Sequence, residues 1–256
     1  MRRPFRQATL EHESAAAYTH HHISVLSGDF KGGGTDVLYG RGDDDMVGDS
    51  QNNSSNDVMY GGDGADFMVG DSETDANGNA KGGGDDRIYG EDGDDEHITG
   101  DSVARGGNAD RGGRDRLQGG NGNDGLLGDS AAPFQGSGTG AGGDVLRSGP
   151  GTAESIIGDS EGIDGVQGNG GDDIIDLGAD GGIFVISDHN IGDPTGGQAT
   201  GAGNDRITGG TADELLLGDS SLSAVLASGS AVVRRRGSRR RPPTQKLGPT
   251  RPRGTP

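Results

Sequence analysis

Apolar residues in this chain recur at one fixed position relative to an acidic residue. In seven successive units an aspartate is followed, two positions later, by a large apolar side chain. The aspartates form a first acid column, which consists of Asp36, Asp57, Asp86, Asp115, Asp144, Asp173 and Asp205. Their apolar partners are Leu38, Met59, Ile88, Leu117, Leu146, Ile175 and Ile207. Because side chains alternate along a strand, each unit is predicted to contain a short strand with one residue in a shared core.

A second strand is predicted later in each unit by the same pairing of an acid with an apolar residue. The second acid column is Asp44, Asp66, Asp95, Asp124, Glu154 and Glu214. Its apolar partners are Met46, Met68, Ile98, Leu126, Ile156 and Leu216. Asp95 and Ile98 lie one residue further apart than the other pairs, which predicts a bulge. Residues 178–187 depart most from the pattern, and Asp180 is the candidate for the second-column acid in that unit.

Glycine-rich turns connect the two predicted strands. The segments GGDGADFMV, starting at Gly61, and GGNGNDGLL, starting at Gly119, both fit G-G-x-G-x-D-x-U-x, where U is a large apolar residue. Glycine permits positive φ and leaves backbone carbonyls unscreened, while the aspartate adds a hard oxygen ligand. The turns are therefore candidate cation sites. Their candidate glycine ligands are Gly62, Gly64, Gly120 and Gly122.

A Gly-Asp-Ser tripeptide ends the second strand in six units, and Ser187-Asp188-His189 takes its place in the remaining one. Polar, glycine-rich segments of variable length follow it. They predict loop insertions at one corner of a coil. Two roles fit the tripeptide aspartate: an additional ligand, or a turn residue that satisfies its own hydrogen bonds. The GDS column comprises Asp49, Asp71, Asp101, Asp129, Asp159, Asp188 and Asp219.

Composition excludes an ordinary globular core. Only 28% of the 256 residues are hydrophobic and 55 are glycine, which by itself would indicate disorder. A regular repeat escapes that conclusion because it needs only one or two core residues per strand. The pattern therefore predicts an all-β solenoid of about seven coils.

The charge distribution favours cations as partners. The formal net charge is −19, but the C-terminal residues 232–256 contribute +9 and the N-terminal residues 1–26 contribute +1, which leaves −29 between them. Such a surface repels nucleic acid. Acids stacked about 5 Å apart are unfavourable without counterions, and oxygen-only ligands suit Ca²⁺ or Mg²⁺.

The chain has no cysteine, hence no disulfide or thiolate site. It also has no apolar run long enough to predict a membrane span.

The two nonapeptides above resemble the hemolysin-type calcium-binding (RTX) repeat. The resemblance covers about residues 32–220 and implies a right-handed parallel β-roll in which turns of neighbouring coils bind Ca²⁺ through aspartate carboxylates and glycine carbonyls. Carried over here, the ligands would be the first acid column, Asp44, Asp66, Asp95, Asp124 and the four turn glycines. The resemblance also implies an extracellular protein exported by ABC-type machinery. The basic C-terminus is unlike that family's export signal.

The domain organisation follows from where the repeat stops. We expect an N-terminal leader or cap at 1–27, the roll at 28–220, a C-terminal cap at 221–233 and a disordered basic tail at 234–256. The leader is a poor secretory signal, and its three consecutive histidines, residues 20–22, favour a polar segment over a metal site. The tail either binds an anionic partner or is a non-native end.

Three functions remain open on the sequence. The first is a structural or interaction module that binds calcium and has no enzymatic activity. The second is the repeat portion of a larger secreted hydrolase or toxin, since no HExxH motif occurs and the leader is too short for a catalytic domain. The third is a calcium-independent adhesin or ice-binding solenoid, which would need a flat threonine-rich face.

Overall fold

The computed structural model describes residues 34–49, 54–74, 78–151, 155–178, 184–192, 198–200, 202–211, 213–219 and 221–222. In chain order the strands are β1 (Val37–Tyr39), β2 (Asp45–Val47), β3 (Val58–Asp63), β4 (Phe67–Val69), β5 (Glu73–Thr74), β6 (Ala80–Lys81), β7 (Arg87–Asp92), β8 (His97–Thr99), β9 (Val103–Ala104), β10 (Ala109–Asp110), β11 (Arg116–Asn121), β12 (Gly125–Leu127), β13 (Ala131–Ala132), β14 (Ser137–Thr139), β15 (Val145–Arg147), β16 (Ser155–Ile157), β17 (Glu161–Gly162), β18 (Gly165–Gln167), β19 (Ile174–Asp176), β20 (Phe184–Ile186), β21 (Asn190–Ile191), β22 (Ala199–Thr200), β23 (Arg206–Thr208), β24 (Leu215–Leu217) and β25 (Ser221–Leu222).

The chain winds into stacked coils whose strands form four parallel sheets. Sheet A is β1-β3-β7-β11-β15-β19-β23 and sheet B is β2-β4-β8-β12-β16-β20-β24. Sheet C is β25-β21-β17-β13-β9-β5 and sheet D is β22-β18-β14-β10-β6. Five complete four-strand coils, from β3–β6 to β19–β22, lie between a partial coil at each end. The prediction of an all-β parallel roll is confirmed, and sheets A and B each contain seven strands.

The predicted core residues form two continuous columns. In sheet A, Leu38 pairs with Met59, and Met59 pairs with Ile88. In sheet B, the unit with the irregular sequence fills its core position with Val185, which pairs with Ile156. The two columns face each other as one narrow apolar cluster: Met46, Met59, Met68, Ile88, Ile98, Leu117, Leu126, Leu146, Ile156, Ile175, Leu177, Val185 and Leu216. Each strand thus contributes about one core side chain, as its period predicts.

The segments after the Gly-Asp-Ser tripeptides differ from the predicted loops, because they contain the strands of sheets C and D. These strands are two or three residues long and rich in Ala, Gly and Ser, so their sequence carries no alternation of apolar and polar residues. Sheet C packs on the face of sheet B opposite the main core, where Val103 and Ala131 contact Val69 and Leu127 in one cluster. Alanines of sheets C and D form a third, smaller cluster. Pairing with the same segment of the next coil, rather than local sequence, makes these residues strands.

The predicted bulge lies at Glu96. Phe67 pairs with His97, whereas the amide of Gly125 donates to the carbonyl of Asp95, so the ladder skips Glu96. A Cβ on Gly125 would lie 2.2 Å from the Glu96 carbonyl oxygen. Glycine is therefore required opposite the extra residue.

Several sequence predictions fall outside the described residues. They concern the leader with its three histidines, the basic tail, and the two acids Glu154 and Asp180. Within the described residues, no helix is long and apolar enough to cross a membrane.

The neighbouring isoleucines of β19 provide a matched test of the core. Ile175 is fully buried, whereas Ile174 points outward and is 46% exposed. We expect Ile175→Ala to lower the free energy of unfolding by about 2–5 kcal/mol, because it leaves a cavity in the single-residue core layer. Ile174→Ala should change it by less than about 0.5 kcal/mol. Chemical denaturation at one saturating calcium concentration measures both, and equal effects would contradict the assignment of Ile175 to the core.

Candidate metal centre

The first acid column forms a hydrogen-bonded ladder that joins each coil to the next. The backbone amide of Asp57 donates to Asp86 Oδ1 at 2.6 Å, and the amide of Asp86 donates to Asp115 Oδ1 at 2.7 Å. The same bond recurs from Asp36 at one end to Asp205 at the other. In each case only one carboxylate oxygen is used. The second oxygen is buried and accepts no hydrogen bond within the described residues in Asp57, Asp86, Asp115, Asp144, Asp173 and Asp205.

The second acid column repeats this arrangement at the corner between sheets A and B. The amide of Asp44 donates to Asp66 Oδ1, and the amide of Asp66 donates to Asp95 Oδ1, both at 2.8 Å. The second oxygens of Asp66, Asp95 and Asp124 are again buried and accept no hydrogen bond from a described residue.

The predicted turn glycines adopt the backbone conformation that the motif requires. Gly62 and Gly64 have φ values of 102° and 139°, and Gly120 and Gly122 have 125° and 143°. The turns of successive coils stack closely, since a Cβ on Gly122 would lie 1.5 Å from the carbonyl oxygen of Gly93. This packing places carbonyl oxygens of one turn directly beside the next turn.

The GDS column lies at the corner between sheets B and C. This corner contacts a second corner, from which the chain enters sheet A. Gly84, two residues before Asp86, donates its amide to Asp71 Oδ2 at 2.9 Å. Gly113 makes the same bond to Asp101 Oδ2 at 2.9 Å. The GDS aspartates are therefore turn-capping residues, as one of the two sequence interpretations held. The side chains of five of them are also fully buried between the two corners: Asp71, Asp101, Asp129, Asp159 and Asp188.

The two corners bring acids of different columns together. One carboxylate oxygen from each of Asp71, Asp86 and Asp101 lies within 4.8 Å of the other two. Asp101, Asp115 and Asp129 form a second triad of the same kind. Each triad combines carboxylates from two successive coils. The recurrence of the tripeptide was the only signal in the sequence for Asp71, Asp101 and Asp129, and it did not reveal that the first acid column would be their neighbour.

The other two residues of the tripeptide have structural roles. A Cβ on Gly100 would lie 1.9 Å from the carbonyl oxygen of Gly128 and 2.4 Å from Asp115 Oδ2, so only glycine allows this approach. The hydroxyls of Ser72, Ser130 and Ser160 donate to backbone carbonyls at or directly after the ends of sheet D strands, for example Ser130 to Arg111 at 2.7 Å.

His189 occupies the serine position of the irregular tripeptide without breaking the stack. Ser130 donates its amide to Ser160 Oγ at 3.3 Å, and Ser160 donates its amide to His189 Nδ1 at 3.2 Å. Burial lowers the pKa of His189 to about 4, so the imidazole is neutral and offers the same acceptor as a hydroxyl.

Burial makes the ionised state of these acids costly. It raises the pKa of Asp86 to about 9, with the nearby Asp71 carboxylate adding to the shift. It also raises the pKa of Asp66 to about 7 and of Asp124 to about 6. Burial, together with repulsion from neighbouring carboxylates, raises the pKa of Asp101 and Asp115 well above the ordinary range. Within the described ranges, no Lys or Arg forms an ion pair with any acid of the two triads.

The residues present fit a hard divalent cation. Buried carboxylates need a proton, a cationic partner or a metal, and the second oxygens described above accept no hydrogen bond from a described residue. Two oxygens on opposite sides of one Ca²⁺ are about 4.6–5.2 Å apart, which matches the spacing within each triad.

The structure separates the predicted ligands into two rows. The first acid column joins the GDS column, whereas Asp44, Asp66, Asp95 and Asp124 stay with the turn glycines at the opposite end of sheet A. Asp57, Asp86, Asp115, Asp144 and Asp173 are all buried; Asp205 is half-buried and Asp36 is exposed in the terminal coil.

Comparison with known families agrees with this geometry. The sequence model of the family described as RTX calcium-binding nonapeptide repeat (4 copies) matches residues 32–54, 53–76, 82–96, 109–132 and 199–220. The chain carries RTX repeats. The matched ranges cover fewer than half of the residues, yet the RTX ladder continues through Asp144 and Asp173, which lie outside them. No curated protein and no solved structure matches the chain significantly.

The raised pKa values predict how the metal-free RTX roll responds to pH. A folded-state pKa of about 6 to 9, against an ordinary value of 3.8, means that folding favours the protonated carboxyl. This contribution to stability is complete below about pH 3.8 and is lost as the pH rises through the folded-state values. In excess chelator, circular dichroism should therefore show more β-structure as the pH falls from 9 to 4. Saturating calcium should remove this dependence between pH 9 and 6. A chelated chain that loses β-structure on acidification would contradict the prediction.

Proposed function

We propose that this chain is an extracellular calcium-binding β-roll that folds when it binds Ca²⁺ and serves as a structural or interaction module rather than an enzyme. One observation carries the proposal: buried carboxylate oxygens without hydrogen-bond donors recur, coil after coil, at two corners of the roll. A cation is the partner that this arrangement lacks. The RTX repeats supply the family context.

Calcium is favoured over other ions by the donor set. The triads consist only of carboxylates, and the second row combines carboxylates with stacked glycine turns whose carbonyls are unscreened. Ca²⁺ accepts six to eight oxygen ligands at about 2.3–2.6 Å in flexible geometry, whereas Mg²⁺ requires a near-ideal octahedron at about 2.0–2.1 Å. Irregular turns that mix both oxygen types suit the larger ion.

Binding and folding are coupled because each site needs two coils. Asp71 belongs to one coil, and Asp86 and Asp101 belong to the next. In an unfolded chain these residues are 15 positions apart or more, so the site does not exist there. The free energy of binding thus becomes free energy of folding, and contacts between neighbouring coils make the transition cooperative.

An extracellular location fits the affinity such a module would need. Extracellular calcium modules commonly bind with Kd values of about 10⁻⁴–10⁻³ M, so the chain would stay unfolded before export and fold outside the cell. In that setting the roll acts as a calcium-dependent scaffold, and ABC-type export machinery is its expected transient partner.

A calcium titration followed by circular dichroism tests the coupling. At pH 8 the β signal should rise sigmoidally in the range of about 10⁻⁴–10⁻³ M Ca²⁺ and be reversed by chelator. The same concentration of Mg²⁺, the control, should have no comparable effect. A chain that is already fully β-structured in excess chelator at this pH would sink the proposal of calcium-dependent folding.

Asp124→Ala tests the second row of ligands. Removing this carboxylate should weaken calcium binding by at least about tenfold, measured as a shift of the binding isotherm, and should leave the chelated chain unchanged. Asp63→Ala is the matched control, since Asp63 is an exposed acid in an equivalent glycine turn. If Asp124→Ala and Asp63→Ala give the same isotherm, Asp124 is not a ligand.

A further inference from the structure

We propose that the GDS aspartates bridge successive calcium ions, so that Asp101 ligates one ion together with Asp71 and Asp86 and a second ion together with Asp115 and Asp129. These five residues are called the inner acid row. The inference rests on the proposed calcium binding, and it deepens that proposal by making the GDS aspartates ligands that successive ions share.

The geometry of the inner acid row places Asp101 in both triads. Within each triad the three carboxylate oxygens lie within 4.8 Å of one another. Asp101 is the member that the two triads share, because the tripeptides stack one coil above another: the amide of Asp71 donates to the carbonyl of Asp101, and the amide of Asp101 donates to that of Asp129. A carboxylate oxygen has two lone pairs, so Asp101 Oδ1, which accepts no hydrogen bond from a described residue, can contact an ion on either side.

Three members of the inner acid row each have one free, buried carboxylate oxygen. Asp86 Oδ2, Asp115 Oδ2 and Asp101 Oδ1 are buried and accept no hydrogen bond from any described residue. The side chains of these residues are at most 1% exposed, so water does not replace the missing donors. The remaining oxygens are held by backbone amides of Asp57, Asp86 and Gly113. Asp86, Asp101 and Asp115 are thus each fixed by one oxygen and leave the other for a cation, whereas both oxygens of Asp71 and of Asp129 accept backbone amides.

Charge neutrality sets the number of ions in this row. Each coil contributes one first-column aspartate and one GDS aspartate, that is, two negative charges. One divalent cation per coil balances them, which is what a buried site requires.

A shared carboxylate ligand also reduces the electrostatic repulsion between neighbouring ions. Ions one coil apart are separated by about 4.8 Å, and divalent pairs as close as about 3.5–4 Å occur where they share ligands. The GDS aspartate lies where such a shared ligand is needed. The glycine before it allows the approach, because a Cβ on Gly100 would meet Asp115 Oδ2 at 2.4 Å.

Counting bound calcium in single variants tests the bridge. Equilibrium dialysis at a calcium concentration that saturates the unmodified chain should show that Asp101→Ala binds two fewer ions and Asp115→Ala one fewer. Asp63→Ala, which removes an exposed acid, should bind the full number. Circular dichroism at the same calcium concentration shows whether each variant keeps the roll.

The alternatives give different counts. If the inner acid row holds protons instead of cations, neither Asp101→Ala nor Asp115→Ala changes the number of bound ions, and the inference fails while Asp124→Ala still shifts the isotherm. Equal losses for Asp101→Ala and Asp115→Ala overturn the bridge. An unmodified chain that binds no calcium overturns the proposed function itself.

A measurement on the unmodified chain covers the case in which Asp101→Ala does not fold. Crystals grown with calcium, with diffraction recorded at a long wavelength where calcium scatters anomalously, should show two peaks flanking Asp101 at a separation of about 4.8 Å. Peaks at the glycine turns with none beside Asp101 would overturn the inference.

Discussion

Electrostatic repulsion between stacked, buried carboxylates is the constraint on which the whole structure depends. Among the described residues, complete coils place aspartates directly above those of the previous coil with almost no exposure to water, from Asp57 to Asp173 in the first acid column and from Asp66 to Asp124 at the glycine turns. Like charges at this spacing cannot all stay ionised without a counter-charge. This repulsion is the reason for the proposal that cations at those corners stabilise the roll and couple its folding to the composition of the medium.

The hydrophobic core of the roll is thin. Sheets A and B meet through a single layer of side chains, with about one apolar residue per strand, and sheets C and D meet largely through alanines. Such a core buries little apolar surface, so hydrophobic burial alone does not offset the loss of chain entropy. Backbone ladders and carboxylate-to-amide bonds add to hydrophobic burial, and in the proposed function bound cations supply the rest. This explains how a chain with only 28% hydrophobic residues acquires a defined fold.

Departures from the repeat show which of its features are structural requirements. Glu91 takes the place of a turn glycine at a φ of 76°, and His189 replaces a serine while keeping its acceptor. The extra residue Glu96 is absorbed by a bulge opposite Gly125. In each case the backbone stack and the acid position survive, although the side chain around them changes. Position and charge are thus more restricted than residue identity.

The sequence by itself determined most strands of sheets A and B and their register, because each depends on a local pairing of one acid with one apolar residue. The exception is the strand Phe184–Ile186, whose core residue Val185 the sequence did not identify. Residues such as Leu38 and Met59 stack as their spacing predicts. Only the tertiary structure decided what happens after each Gly-Asp-Ser tripeptide. The strands of sheets C and D have no apolar period, since their order comes from pairing with the next coil. The meeting of Asp101 with Asp86 and Asp115 depends on two corners closing against each other, and no spacing along the chain encodes that contact.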